Sequence, residues 1–242
     1  MVPPRKRLAA AALAGAAALL APAAAWAGVV VSASGPSAAS FPVGKSIGAS
    51  ERIVLRAGDT LTVLDGNGTR VLRGAGTYTL DQQAGPSRRA SFTALTQRRT
   101  ASQTTTGAIR GEEPPRPSSL WYVDIGHPGT VCVVGTDRVR LWRPQTEGDA
   151  TYSLRASVGS ASHSVTFADG DTLAPWDTAV LPIADGASFA IAGPDGAARG
   201  ALTFAVLGAA ADEPEALAQQ LIEKGCTQQL ELLSATTMIE EG

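Results

Sequence analysis

Histidine and cysteine are both scarce in this chain of 242 residues, which contains two of each. The histidines are His127 and His163, the cysteines are Cys132 and Cys226, and no pair has a ligand spacing such as C-x-x-C or H-x-x-x-H. Structural zinc sites are usually assembled from such closely spaced pairs. The sequence therefore excludes the usual zinc-binding motifs, and we predict neither a metal site nor a cofactor.

Long apolar runs are missing after residue 27. The uncharged stretch at 8–20 is shorter than the roughly 20 residues that span a bilayer, and it consists mostly of alanine. Three basic residues at 5–7 precede it, and Ala25-Trp26-Ala27 follows it with small residues where a signal peptidase reads. We therefore predict a signal peptide over residues 1–27, cleaved between Ala27 and Gly28, and a periplasmic mature protein without a transmembrane anchor. An uncleaved membrane anchor is the alternative.

An excess of positive charge is also absent. The chain has 20 Lys and Arg against 22 Asp and Glu, and removal of the three basic residues at 5–7 leaves 17 against 22, a net charge of −5. Proteins that bind nucleic acid through its phosphates generally carry a basic surface. The mature form is therefore not expected to bind nucleic acid.

Short strand patterns alternate with glycine and aspartate from Gly28 onward. Apolar segments at 53–55 and 61–64 are followed by Asp65-Gly66-Asn67-Gly68, a strong hairpin-turn signal. We predict a small antiparallel β module over residues 28–81. The composition of residues 82–119 then shifts to Arg, Thr, Ser and Pro, which predicts a linker with a short helix around residues 88–99.

Residues 120–208 contain further short strand patterns whose turns recur every 8–12 residues or so, as in a sandwich or barrel. Residues 209–242 are predicted to form a helical segment packed on the β core. Asp212 is the predicted N-cap, Pro214 suits the first turn and Gly225 can close the helix, with a polar tail from Thr236. The predicted fold is mainly β: a small antiparallel β module plus a β-sandwich-like region, with a short C-terminal α-helical segment.

Ser46 lies in Gly44-Lys45-Ser46-Ile47-Gly48, which matches the G-x-S-x-G pattern of hydrolase nucleophiles. That motif requires a strand immediately before the serine and a helix after it, whereas Pro42 precedes this stretch. A triad would need Asp59 or Asp124 and either histidine, and neither histidine has a local signature. We therefore predict that the chain is not an enzyme and has no catalytic residues. An envelope hydrolase that uses Ser46 or an acidic pair is the alternative.

Aromatic residues and acidic turns suggest two kinds of binding site. Trp121, Trp142 and Trp176 could form a sugar-binding platform, which makes a carbohydrate-binding module a further alternative, but such residues more often anchor the core of small β domains. Asp169-Gly170-Asp171 could contact calcium, but it is typical first of a turn.

Cys132 and Cys226 are predicted to form a disulfide. They are the only cysteines, and export would deliver them to an oxidising compartment. Cys132 lies in an apolar strand pattern and Cys226 follows the predicted helix, so the bond would connect the helical end to the β core. Two separately buried thiols are the alternative.

Residues 50–72 contain three strand patterns separated by Gly58-Asp59 and Asp65-Gly66 turns. This stretch resembles the β-repeat region of FecR-like periplasmic domains, and the whole chain resembles exported proteins of alphaproteobacteria. FecR regulators also carry a cytoplasmic anti-sigma segment and a transmembrane helix, which have no counterpart in this sequence. The resemblance implies a β scaffold outside the cytoplasm and does not extend to the signalling pathway.

These features predict a non-catalytic exported protein that acts in envelope-associated binding, assembly or signalling. Its predicted partner is an envelope protein or a glycan.

Overall fold

Short strands joined by glycine and aspartate turns make up most of the chain, so the predicted mainly β fold is confirmed. The computed structural model describes residues 26–81, 88–97 and 116–239. Residues 1–25 of the predicted signal peptide and residues 82–87 and 98–115 of the predicted linker lie outside this described part. Ala27 and Gly28, the predicted cleavage residues, lie in the first strand.

The N-terminal region is built on a four-stranded antiparallel sheet in the order β2-β1-β4-β5 and a two-stranded sheet of β3 and β6. Asp65 pairs with Gly68 across the β4–β5 turn, which confirms the predicted hairpin. The Asp65 carboxylate fixes this turn by accepting hydrogen bonds from the backbone N–H groups of Asn67 and Gly68 at 2.7 and 3.1 Å. The strands are β1 (Trp26–Ser34), β2 (Ser46–Gly48), β3 (Ile53–Leu55), β4 (Thr60–Asp65), β5 (Gly68–Arg73) and β6 (Gly76–Tyr78).

The second β region contains a five-stranded sheet in the order β11-β10-β13-β14-β8 and a three-stranded sheet in the order β12-β9-β7. Pairing is antiparallel except between β14 and β8 and between β7 and β9, which are parallel. The strands are β7 (Tyr122–Asp124), β8 (Thr130–Val134), β9 (Arg140–Trp142), β10 (Ala150–Ala156), β11 (Ser162–Phe167), β12 (Leu173–Pro175), β13 (Ser188–Ala192) and β14 (Ala198–Leu207).

Three α-helices accompany the strands in the described ranges: α1 (Arg89–Thr96), α2 (Pro214–Lys224) and α3 (Thr227–Thr236). Pro214 begins α2, and Gly225 ends it in the left-handed conformation with φ of 73°, as predicted. The predicted N-cap is wrong by one residue. Glu213, with extended backbone, occupies that position instead of Asp212, and its side chain makes no capping bond.

A shared apolar core joins the two β regions through the helices. The inner face of α2, with Leu217 and Leu221 fully buried, packs against residues of β1, β4 and β8. Helix α1 lies within the predicted linker and adds Phe92 and Leu95 to the same core. Both β regions therefore contact one helical layer, while each also has an apolar core of its own.

The chain after α3 pairs with the N-terminal sheet, in contrast to the predicted polar tail. The N–H of Thr69 donates to the carbonyl of Thr237 at 2.8 Å, and the N–H of Ile239 donates to the carbonyl of Thr69 at 2.9 Å. Thr237 and Ile239 are both buried. This short parallel bridge covers one end of the β5 edge.

Candidate functional site

An open groove of about 590 Å³ runs between α2 and the strands β1 and β2. It combines apolar, amide and acidic groups from both sides. The lining residues are Gly28, Val29, Ser46, Ala211, Glu213, Glu215, Ala216, Gln219, Gln220 and Glu223.

The periodicity of α2 explains why this face is open. Ala216, Gln219, Gln220 and Glu223 have the i, i+3, i+4, i+7 spacing that places residues on one side of a helix. They are exposed or half-buried, whereas Leu217, Ala218 and Leu221 are fully buried on the other side. The helix therefore contributes one face to the core and the opposite face to the groove.

Two glutamine side chains connect α2 to the segments on either side of the groove. The Nε2 atom of Gln219 donates to the carbonyl of Gly44 at 2.9 Å and to Ser46 Oγ at 3.3 Å. The Oε1 atom of Gln220 accepts from the N–H of Ala211 at 3.0 Å. These hydrogen bonds hold the groove walls in place.

Three glutamates make the groove acidic. Glu213 forms an ion pair with Arg89 of α1. Burial is the largest cause that raises the pKa of Glu215, and the nearby negative charges of Glu213 and Asp65 raise it further. A hydrogen bond from its own backbone N–H and the charge of Arg89 offset only part of this effect. The Oε2 atom of Glu215 is buried and has no hydrogen-bond partner. Glu223 is exposed and forms no ion pair with any residue in the described part of the chain.

The structure does not bring Ser46 together with a histidine. Ser46 begins the short strand β2, so the strand–serine–helix geometry of a hydrolase nucleophile is absent, and no histidine lines its groove. His127 instead pairs with Asp124, Nδ1 to Oδ2 at 2.9 Å, in a separate groove beside α3. His163 lies on β11, an edge strand of the second region. Ser46 does, however, share its groove with the three glutamates.

The three tryptophans considered as a sugar platform are all buried, with at most 8% of their surface exposed. Trp176 packs against Phe189 and Phe204 at ring-centroid distances of 4.9 and 5.1 Å. Trp121 donates its indole N–H to the carbonyl of Thr96 at 2.6 Å. These side chains anchor the cores and present no aromatic surface to a glycan.

The acidic turn at 169–171 is held by its own chain. Asp169 Oδ1 accepts from the N–H of Gly148 at 2.6 Å, and the N–H of Asp169 donates to Asp149 at 2.9 Å. Gly170 has φ of 86°, a backbone angle that glycine adopts without the strain that other residues would have. Among the described residues, no cluster of three His, Cys, Asp or Glu side chains is arranged to hold a metal ion.

The predicted disulfide between Cys132 and Cys226 is confirmed, with a Cα–Cα distance of 5.8 Å and both residues fully buried. The sequence analysis missed its neighbour Gln229, on α3. The Gln229 amide accepts from the N–H of Cys132 at 2.6 Å and donates to the carbonyls of Cys132 and Leu120 at 2.8 and 2.7 Å. One side chain thus satisfies the backbone of the edge strand β8 where the bond is attached.

A buried ion pair was also missed. The Nη2 atom of Arg70 lies 3.0 Å from Oδ2 of Asp65, and both residues are almost completely buried. The Nη1 atom of Arg70 also donates to the carbonyl of Leu80 at 2.9 Å. Asp65 ends β4 and Arg70 lies on β5, and Asp65 is close enough to Glu215 for its charge to raise the pKa of that glutamate. The turn motif indicated Asp65, but nothing in the local sequence indicated its arginine partner.

No helix in the described part of the chain has the length and apolar character required to cross a membrane. Comparisons with protein-family models, with curated proteins and with solved structures return no match. The resemblance to FecR-like domains therefore stays a prediction.

Proposed function

We propose that this chain is an exported, non-catalytic protein of the periplasm that binds a partner of the cell envelope in the groove beside α2. The observation that carries the proposal is the groove itself. Its walls are fixed by the Gln219 and Gln220 hydrogen bonds, and neither Glu215 nor Glu223 forms an ion pair with a residue in the described part of the chain. Preformed concave sites of this size with a few polar groups are typical of binding proteins.

The disulfide supports the periplasmic part of the proposal. Disulfides persist in oxidising compartments such as the bacterial periplasm and are rare in the cytosol. The Cys132–Cys226 bond connects β8 to the end of α2. This agrees with the signal-peptide pattern at residues 1–27.

Photocrosslinking in intact cells tests the groove as the binding site. A photoreactive residue at the exposed groove position Ala216 should yield a crosslinked envelope component. The same residue at Val158, which is 91% exposed on the loop between β10 and β11, serves as the control. Equal crosslinking at both positions, or none at Ala216, would contradict the proposal.

N-terminal sequencing of the purified exported protein tests the predicted cleavage site, and the sequence should begin at Gly28.

A second candidate function, an envelope hydrolase, is favoured by one observation: Ser46 and the three glutamates line the same groove. Burial keeps Glu215 protonated to a higher pH than usual, which suits a general acid that protonates a leaving group. Labelling of Ser46 by a fluorophosphonate, or hydrolysis of peptidoglycan that Glu215→Gln abolishes, would establish this function and overturn the non-catalytic proposal. The tryptophan-based carbohydrate module has no such support, because Trp121, Trp142 and Trp176 are buried.

A further inference from the structure

We propose that the outer face of the β3–β6 ribbon docks on a membrane surface of anionic phospholipid. In this arrangement Val54 enters the headgroup layer and the arginines beside it pair with the lipid phosphates. None of the residues that line the α2 groove belongs to this face, so the inference goes beyond the proposed binding function.

Strand β3 and the residues that flank it alternate between the solvent and the core. Ile53 and Leu55 are 0% and 4% exposed and pack in the apolar core of the N-terminal region. Arg52, Val54 and Arg56 are exposed, and Val54 retains 59% of its accessible surface. Because alternate side chains of a strand point to opposite faces, these three residues form one outward row. The two arginines lie about 13 Å apart along that row.

A third exposed arginine, Arg73, lies at the Arg56 end of the ribbon, where β5 ends. The N–H of Arg56 donates to the Asp59 carboxylate at 2.5 Å, and the N–H of Gly74 donates to the Asp59 carbonyl at 3.0 Å. Asp59 therefore connects the chain at Arg56 to the residue that follows Arg73. The outer face of the ribbon and its end thus carry three arginines.

These arginines are not neutralised by their surroundings. None of the three forms an ion pair with a residue in the described part of the chain. The neighbouring Glu51 pairs with Lys45, and Asp59 is buried and also accepts from the N–H of Ser37 at 2.8 Å. Asp81, exposed after β6, offsets part of the charge. The ribbon is therefore basic, although the predicted mature chain has 17 basic residues against 22 acidic ones.

The combination of cations with an exposed apolar side chain favours a lipid surface over other anionic partners. At a bilayer surface, apolar groups enter the acyl boundary while basic groups stay at the anionic headgroups. Thr77, which lies opposite Val54 on β6, is exposed and uncharged. The row is on an open strand face and lines neither the α2 groove nor the groove beside α3. An extended surface can therefore contact the whole row at once.

Vesicle cosedimentation of the purified mature protein tests the proposal. Vesicles of equal parts phosphatidylglycerol and phosphatidylcholine should bind the protein, whereas vesicles of phosphatidylcholine alone should not. Raising NaCl from about 50 to about 500 mM should release the protein, because salt screens surface charges. Equal binding to the two kinds of vesicle, or no binding to the anionic one, would overturn the proposal.

The double variant Arg52→Gln/Arg56→Gln should weaken binding to the anionic vesicles roughly 25-fold, at about fivefold for each arginine. Arg140→Gln/Arg155→Gln is the matched control. It removes the same charge from two strands of the second β region, β9 and β10, and neither arginine forms an ion pair with a described residue. The control should change binding less than about twofold. Similar losses in the two variants would show that binding follows net charge alone, against the proposal.

Val54→Ser should weaken vesicle binding about threefold, because the apolar contact is lost. Val158→Ser, at a loop valine that is 91% exposed, should have no effect, and equal effects of the two would contradict the insertion of Val54. Release of the protein by millimolar inorganic phosphate would assign the row to free phosphate. Binding of soluble polyglutamate as strong as that of the vesicles would assign it to an acidic protein, and either result would overturn the membrane proposal. Crosslinking at Ala216 reports on the α2 groove, so each of the two proposals can fail without the other.

Discussion

The two faces of α2 differ in how completely their groups are satisfied. On the inner face, Leu217 and Leu221 are fully buried, and the helix ends at the Cys226 disulfide, where Gln229 pairs the adjacent backbone. On the groove face, Glu215 has a buried oxygen without a partner and Glu223 is exposed. One helix therefore separates two environments, because its inner face packs in the core while its outer face lines the open groove. Substitutions on the two faces should have different effects.

Reduction of the disulfide should have the largest effect on the inner side. Cys132 and Cys226 are 94 residues apart in sequence, so opening the bond restores the entropy of a long loop to the unfolded chain. The chain-entropy model predicts a loss of about 4–5 kcal/mol in the free energy of unfolding. Urea unfolding with and without dithiothreitol measures this difference.

The double variant Cys132→Ala/Cys226→Ala provides the control for the reductant. It should be destabilised by a similar amount and should not respond to dithiothreitol. If reduction leaves the urea midpoint unchanged, the bond does not stabilise the native fold.

Leu221→Ala should have the next largest effect, because it opens a cavity in the core shared by both β regions. Deletion of a buried leucine side chain typically costs about 2–5 kcal/mol. Glu223→Gln, two residues later on the groove face, should change stability by no more than about 0.5 kcal/mol. Thermal or urea unfolding of both variants compares the faces directly, and a similar cost for the two would show that α2 is not divided in this way.

Gln229→Leu tests whether the inner side depends on complete hydrogen bonding. The leucine side chain would leave the Cys132 N–H and the carbonyls of Cys132 and Leu120 without their partner in a buried site. Unsatisfied buried groups cost about 1–3 kcal/mol. Gln228→Leu is the matched control, since Gln228 precedes it on α3 and lines an open groove. Equal destabilisation by the two variants would contradict the assigned role of Gln229.

The sequence predicted those parts of the fold that depend on local chemistry. The Asp65–Gly68 turn, the Pro214 start and the Gly225 end of α2 all follow from backbone preferences of single residues. The disulfide was predictable because only one pairing of two cysteines exists. Each of these signals is contained in a few neighbouring residues.

The site itself depends on contacts between distant residues, which explains why it was not predicted. Ser46 and Gln219 meet in the groove although they are 173 positions apart. Likewise, the pairing of Thr237 with Thr69 turns a predicted polar tail into a buried bridge. Single-sequence patterns report which residues are apolar or form turns, but not which distant segments share a surface. The predicted linker at residues 82–119 stays a prediction.

The smallest expected effect concerns the pH dependence of Glu215. Burial and the neighbouring charges of Glu213 and Asp65 raise its pKa above the ordinary value of 4.5, so the folded protein holds this proton more tightly than the unfolded chain. The protonated carboxyl therefore stabilises the fold fully below the ordinary pKa of 4.5. This contribution is lost as the pH rises through the raised pKa of the folded protein. Glu215→Gln removes the charge, so its stability relative to the wild type should be higher at pH 7 than at pH 4.

Asp59 provides a control of opposite sign. Hydrogen bonds, with the contact to Ser37 as the largest cause, lower its pKa, so the ionised carboxylate stabilises the folded state above the ordinary pKa of 3.8 and this contribution is lost as pH falls. Asp59→Asn should therefore cost stability at pH 7 and progressively less toward pH 3. The urea midpoint of each variant minus that of the wild type is measured between pH 3 and 8. This difference should rise with pH for Glu215→Gln and fall with pH for Asp59→Asn. Parallel slopes would show that the Glu215 carboxylate is already paired.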